Sequence, residues 1–324
     1  MAYAIRVHNY GGPEVLKWEE ITLPEPGPSE VRLRQHAVGL NYIDVYLRTG
    51  LYPQPSFPFV PGMEGAGEVI KVGAAVKDLK VGDRVAYAGP PGGYAQERNI
   101  AADRVVQLPA GIDMKTAAAM MLQGMTVQYL IKRTYKVGPG TTMLMHAAAG
   151  GIGLIACQWA RHLGATIIGT TSSPEKARLA KEAGAHHVID YTKENFVDRV
   201  KEITGGKLCD VVYDSIGKDT FPGSLNCIRP LGLWVSFGNA SGPVPPFSLA
   251  ELASRGSLYC TRPSLMAYTA KREDLVATAN DLFEVVQKGI VKINVNQTYA
   301  LKDAAQAHRD LEGRKTTGST VLLP

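Results

Sequence analysis

Residues 146–153 read His-Ala-Ala-Ala-Gly-Gly-Ile-Gly and lie between the apolar run TTMLM and the helical-looking run LIACQWARHLG. Set against the pattern G-x-G-x-x-G, Gly150 and Gly153 fill the second and third glycine places, and Ala148 stands at the first. Gly150 would let backbone N–H groups approach a pyrophosphate, Gly153 would let a helix pack closely on its strand, and the helix N-terminus would supply partial positive charge. The same residues would also serve as a tight strand-to-helix turn without a ligand, a use that Ala148 suits better than a third glycine. Context favours the phosphate, because a candidate strand precedes the cluster, a helix follows it, and the whole sits in a βαβ pattern.

The next strand end bears on which dinucleotide such a loop would take. An acid about 20 residues past the glycines would bind the free ribose 2′-hydroxyl of NAD. Ser173 stands there instead, in TTSSPEKAR, with Ser172 before it and Lys176 and Arg178 after it. Hydroxyls and cations suit a 2′-phosphate, which an acid would repel, so the stretch reads as NADP. Ser173 before Pro174 is also a good helix cap, and the two cations could be a solvated helix face.

Positioning such a loop requires a parallel sheet, and the middle of the chain has the pattern of one. From about Tyr135, six β-like runs, TTMLMHA, ATIIGTTS, HHVIDY, CDVVYDS, LWVSFGN and GSLYCTR, alternate with amphipathic helical runs such as GLIACQWARHLG, SPEKARLAKEAG and NFVDRVKEITGG. Strands separated by helices of this length imply βαβ units. The first ~125 residues have short alternating strands between Gly- and Pro-rich turns, as suits a small barrel. After Arg262 come a long helix, REDLVATANDLFEVVQKG, and a last β-like run, TTGSTVLLP, that could return to the first domain. The expected division is 1–125, 126–262 and 263–324.

Composition excludes several classes. A chain of 324 residues with 45% hydrophobic side chains buries a sizeable core, and a net charge of +5 without a dense basic tract argues little for nucleic acid. Cys157, Cys209, Cys227 and Cys260 form no CxxC pair, so they read as buried free thiols rather than as disulfides or a zinc knuckle. With no apolar leader and no membrane-length run, the chain reads as a soluble cytoplasmic protein.

In the first domain, VPGMEGAGEVIKVG followed by VGDRV resembles the medium-chain dehydrogenase/reductase superfamily. The zinc alcohol dehydrogenase branch has G-H-E there, with the His a zinc ligand, and a Cys ligand upstream. Here Met63 stands at the His place and Asn41 at the Cys place. The four-cysteine lobe of that branch should lie near YAGPPGGYAQERN, which has no cysteine, so neither zinc is expected. GLNYIDVYLRTGLYP, PFVPGMEGAGEV, AAAGGIG, YDSIG, VSFGN and LYCTRPS, spread over nearly the whole chain, are similar to the zeta-crystallin-like NADPH:quinone oxidoreductase branch.

The resemblance implies an α/β architecture, with a doubly wound Rossmann sheet inserted in a GroES-like β-barrel catalytic domain, and a homodimer. It implies cofactor contacts from Asn41, Tyr129, Gly151, Ile152, Ser173 and Lys176. Further contacts are implied from Tyr191, Ser215, Phe237, Asn239, Arg262 and Arg314. A dimer would join along GSLYCTR, an apolar run suited to a sheet edge.

The expected chemistry follows from the missing zinc ligands. A carbonyl without a Lewis acid must carry its own electron sink, as quinones do by becoming aromatic hydroquinone anions. Hydride would come from NADPH, with the protein orienting the ring. Asn41 is a candidate for orienting substrate, and Tyr46 or Tyr52 for stacking on a flat ring and donating to its oxygen. Both tyrosines also suit packing, and Asp44 suits a structural acceptor. Rival functions are an NADPH-dependent enone or enal C=C reductase and a nucleotide-dependent RNA-binding or structural protein.

Overall fold

The computed structural model describes residues 1–324. They form two compact units. One comprises Met1–Met125, Thr269–Gln287 and Ile293–Pro324, and the other comprises Thr126–Tyr268 and Lys288–Lys292.

In the second unit the strands are β1 (Thr142–Met145), β2 (Thr166–Thr171), β3 (His187–Asp190), β4 (Cys209–Asp214), β5 (Ile228–Ser236) and β6 (Tyr259–Thr261). They pair in the order β3-β2-β1-β4-β5-β6, every pair parallel. All six β-like runs of this region therefore form strands. Met143, Leu144 and Met145 are wholly buried, as a strand covered on both faces requires. Leu144, Ile168, Ile189, Val212 and Trp234 share one core cluster, and each such side chain stabilises the fold by about 1.5–3 kcal/mol. Helices α1 (Gly151–His162) and α2 (Pro174–Glu182) follow β1 and β2. Strand order reverses between β1 and β4, the switch point outside which ligands bind in sheets of this kind.

The first unit is built around the eleven-residue strand Glu30–Leu40. Its seven-stranded sheet runs, in order, through Val295–Ala300, Ser319–Leu323, Glu30–Leu40, Glu64–Val72, Arg84–Ala88 and Val106–Gln107, with Glu97–Ala101 also paired to Glu30–Leu40. The C-terminal run TTGSTVLLP supplies Ser319–Leu323, antiparallel to Glu30–Leu40 with Thr320 opposite Leu40. On the other side of Glu30–Leu40, Glu64 stands opposite Gly39. These two registers place Glu64 and Ser319 beside the end of the strand that leads into Asn41. Ile5, Val38, Leu40, Tyr94 and Leu322 pack together in this unit's core. No helix of the chain is long and apolar enough to cross a membrane.

Candidate active site

The glycine loop leaves β1 at the switch point. Gly150 is the N-cap of α1 and supplies no side chain, so the first N–H groups of the helix have neither an intrahelical acceptor nor a side-chain cap. Gly151, Ile152 and Gly153 carry these donors. A Cβ on Gly153 would come within 2.6 Å of the Ala148 backbone, so only glycine lets the helix start this close to the strand. Ala148, at the place of the first glycine, has an ordinary backbone, and the left-handed conformation falls on Ala147, φ 53°. The Ala148 methyl is accommodated because β2 has Gly169 opposite it, where a Cβ would lie 2.7 Å away. The uncapped donors and the close helix start fit a pyrophosphate.

At the end of β2, Ser173 caps α2, its Oγ accepting from the Lys176 N–H at 3.3 Å. Capping uses the oxygen and leaves the hydroxyl hydrogen for a phosphate. The Thr171 hydroxyl, buried at the same strand end, has no hydrogen-bond partner. Lys176 is half-buried at the third position of the helix, whereas Arg178 is exposed and pairs with Glu182 one turn on at 2.6 Å. Ser172 follows Thr171 in the same turn, and the Tyr191 N–H, just past β3, donates to the Thr171 carbonyl at 3.1 Å. This turn has no carboxylate of its own, and its donors fit a 2′-phosphate.

The remaining candidates of this unit lie in two places. Ser215 follows β4, and its carbonyl accepts the Ala240 N–H at 3.1 Å, which joins its turn to the Phe237–Asn239 turn after β5. Gly238 meets the Ser215 backbone closely enough that a Cβ would lie 2.5 Å from its carbonyl oxygen. Arg262, just past β6, donates to the Ser236 carbonyl at 2.8 Å. Tyr129 is buried and stacks on Tyr268, ring centroids 4.4 Å apart; burial raises its hydroxyl pKa, with Arg262 opposing. Asn41 and Arg314 belong to the first unit.

In the first unit, Asn41 precedes the helix Tyr42–Thr49. Its N–H donates to Asp44 Oδ2 at 2.9 Å, and its carboxamide is held from both sides. Nδ2 donates to Glu64 Oε1 at 2.6 Å, and Oδ1 accepts from Gln123 Nε2 at 3.0 Å. Ser319 donates to Gln123 Oε1 at 2.8 Å, and the Leu122 N–H donates to Glu64 Oε2 at 2.7 Å. The nitrogen end of the Asn41 amide retains one further N–H. Burial pushes the Glu64 carboxyl up to about 8, against the pull of these donors, and the Asp44 carboxyl up to about 7.

Asp44 is a structural acceptor, taking a second bond from the Tyr94 hydroxyl at 3.1 Å. Tyr94 contacts His308 Nε2 at 3.2 Å, and His308 Nδ1 faces Arg48 at 3.1 Å. Tyr46 is buried and edge-on to the half-buried Tyr52, ring centroids 5.3 Å apart. Gln123, Ser319, Tyr94 and His308 were not anticipated from sequence. Gln123 had one signal, a lone amide in the apolar run MMLQGMTV.

A zinc ion does not fit these residues. The Cys place holds a neutral amide already hydrogen-bonded to Glu64 and Gln123, the two Glu64 oxygens accept from Asn41 and the Leu122 N–H, and Met63 offers only a buried thioether. No group of three or more His, Cys, Asp and Glu is placed to hold a metal. Of the cysteines, Cys157, Cys209 and Cys227 are buried thiols, but Cys260 is exposed on β6, contrary to the expectation that all four are buried.

A 3-2-1-4-5-6 parallel sheet with a glycine loop at its switch point, on a chain that also builds a GroES-like unit, defines a dinucleotide-dependent oxidoreductase of the medium-chain class. Residues 27–110 match the alcohol dehydrogenase GroES-like domain family and residues 151–279 the zinc-binding dehydrogenase family. The chain is 56% identical to a quinone oxidoreductase of Pseudomonas aeruginosa PAO1 over the full length of both proteins. It superposes with TM-score 0.98, at 50% identity and covering 99% of this chain and 100% of the other, on the Escherichia coli quinone oxidoreductase solved in complex with NADPH. A 2-haloacrylate reductase of a Burkholderia species is 47% identical, covering 100% of this chain and 99% of that one. The chain belongs to the quinone oxidoreductase family of the medium-chain dehydrogenase/reductase superfamily.

Proposed function

We propose that this enzyme reduces quinones with NADPH, converting quinone, NADPH and a proton into hydroquinone and NADP⁺ without a metal. NADPH supplies the hydride when bound. The observation that carries the reading is the occupation of the Cys and His zinc-ligand places by Asn41, whose amide is hydrogen-bonded to Glu64 and Gln123, and by the buried Met63. With no Lewis acid for an alkoxide, the acceptor must delocalise the incoming electron pair itself, which a quinone does by becoming aromatic.

On this reading Gly150, Gly151, Ile152 and Gly153 hold the pyrophosphate, and Ser172, Ser173 and Lys176 hold the 2′-phosphate. Tyr129, Tyr191, Ser215, Phe237, Asn239 and Arg262 complete the nucleotide contacts within the second unit. Asn41 orients the reacting ring with the second N–H of its amide, and Tyr52, more accessible than Tyr46, donates to the acceptor oxygen. The first unit carries substrate and the second carries NADPH, the second running to Tyr268 and including Lys288–Lys292 rather than ending at Arg262 as expected.

A substrate panel with NADPH tests the reading, with quinones of increasing ring number set against enones, aldehydes and alcohols before and after chelation. Quinones lead, and the chelator changes nothing. Alcohol oxidation lost on chelation would overturn the reading. The likeness to a 2-haloacrylate reductase favours a second reading, C=C reduction of activated alkenes, and an enone or haloacrylate turned over faster than any quinone would establish it.

The enzyme also forms a homodimer along β6 on this reading. That strand ends the sheet and exposes Tyr259, 64% accessible, and Cys260. Tyr259→Lys should turn a sedimenting dimer into a monomer, and a monomeric parent protein would remove the claim. The unpaired thiols accord with a reducing compartment such as the cytoplasm.

A further inference from the structure

The glycine motif begins with His146, a residue that nucleotide binding as set out above leaves unused. His146 follows β1 and is 2% exposed. Its Nδ1 lies 3.0 Å from the Thr170 hydroxyl near the end of β2, and its Nε2 lies 3.0 Å from the Ser224 hydroxyl. Ser224 in turn donates to Asp214 Oδ2, at the end of β4, at 2.7 Å. The Phe196 ring stands edge-on to the imidazole, centroids 5.1 Å apart.

The protons in this chain can be assigned. Burial works to raise the Asp214 carboxyl, but His146, the Ser224 and Thr220 hydroxyls and the Gly217 amide outweigh it and keep Asp214 a carboxylate. Burial, opposed by Asp214, lowers His146 and keeps it a neutral imidazole. The single Ser224 hydrogen goes to the carboxylate, so Ser224 accepts from Nε2–H. Nδ1 is then bare and accepts the Thr170 hydroxyl hydrogen. Every donor in the chain Thr170, His146, Ser224 points toward Asp214.

Asp214 spends its other oxygen on the turn that follows it. Oδ1 accepts from the N–H groups of Ile216 at 2.9 Å and Gly217 at 3.1 Å, and from Thr220 Oγ1 at 2.9 Å. The Ala148 N–H donates to the Thr170 carbonyl at 3.0 Å, which joins the glycine loop to the end of β2. Three turns leave the strand ends at the switch point: 147–150, 172–173 and 215–217. One buried hydrogen-bonded chain ties the ends of β1, β2 and β4 beneath them.

We propose that His146 and Ser224 are positioning residues for the dinucleotide, setting the spacing of these three turns so that NADPH affinity, rather than the rate of the chemical step, depends on them. The proposal rests on the reading that the three turns hold NADPH. The backbone ladder spaces the strands themselves, and beyond its last bonds four side chains join the strand ends from which these turns leave.

The test is NADPH dissociation from the full chain, read by nicotinamide fluorescence, with steady-state kinetics on a quinone and thermal melts alongside. Ser224→Ala and His146→Leu should each raise the NADPH Kd and KM at least fivefold while kcat at saturating NADPH stays within twofold. Thr170→Val should raise Kd about twofold. His146→Gln, whose amide can still donate toward Ser224, should recover most of the affinity lost in His146→Leu. A melting temperature that falls while Kd holds would show a role in stability alone and overturn the proposal, as would a loss confined to kcat. Should His146→Leu fail to fold, Ser224→Ala, which removes one oxygen, decides the matter in the same way. Absence of NADPH binding in the unmutated chain would overturn the function reading and this inference together, whereas normal binding left unmoved by Ser224→Ala would overturn this inference alone.

Discussion

The two units build their candidate sites in opposite ways. In the nucleotide unit, a strand end, a glycine turn and a helix N-terminus come from one contiguous stretch, 142–162. In the other unit the Asn41 amide is held by Glu64 and Gln123, and Gln123 in turn by Ser319, residues that arrive from three further segments of the chain. The first arrangement depends on local backbone geometry, and the second on strand register. A local device fails when one residue acquires a side chain, whereas a register-built device fails when one partner in a buried network is lost.

Glu64→Leu gives the largest break. It leaves the Asn41 Nδ2 and Leu122 N–H groups buried without acceptors, at about 1–3 kcal/mol each. Urea unfolding should show that loss, and the quinone kinetics should deteriorate with it because the Asn41 amide is then held on its Oδ1 side alone. An unchanged midpoint would mean that the network relaxes freely and that register does not hold the site.

The same region should set the pH dependence of stability. Asp44 and Glu64 titrate near 7 and 8 in the folded chain and near 4 when unfolded, so the native state holds protons that the unfolded state has lost. Stability therefore falls as pH rises through that window. His308, lowered to about 3 by burial and by Arg48, acts the other way, removing stability as pH drops below about 6.5. Between about pH 6.5 and 8 only the carboxyls of this set act, so the urea midpoint should decline across that interval. A midpoint flat across that interval would show both carboxyls already ionised.

On the local side, Gly153→Ala should cost about 1–3 kcal/mol, since the methyl meets the Ala148 backbone and the helix must retreat. NADPH affinity should fall with it, which calorimetric titration would show, and the Asn41 network should be untouched. Lys176→Ala should lower kcat/KM for NADPH about tenfold, the worth of one charge-assisted bond, and leave NADH nearly unchanged. A loss shared by both cofactors would remove the 2′-phosphate assignment. Ser173→Ala is the mildest, costing about 1 kcal/mol of cap with a smaller effect on NADPH than Lys176→Ala.

The sequence alone determined the α/β class, the six parallel strands and the place of the glycine turn. Each of these follows from periodicity and from local backbone preferences, which neighbouring residues dictate. The missing zinc ligands at Asn41 and Met63 were equally legible, because they are a matter of residue type. Tertiary structure decided what those positions do instead. Nothing within ten residues of Asn41 indicates that Gln123 will meet its amide, and Ser319 reaches Gln123 only because Thr320 pairs opposite Leu40. His146 stood in plain view in the motif, yet its partners, Thr170 and Ser224, lie 24 and 78 residues away along the chain. Hydrogen-bonded networks of this kind leave no periodic trace, since each member is a single polar residue in an otherwise apolar run, and only the register of the strands that carry them selects their partners.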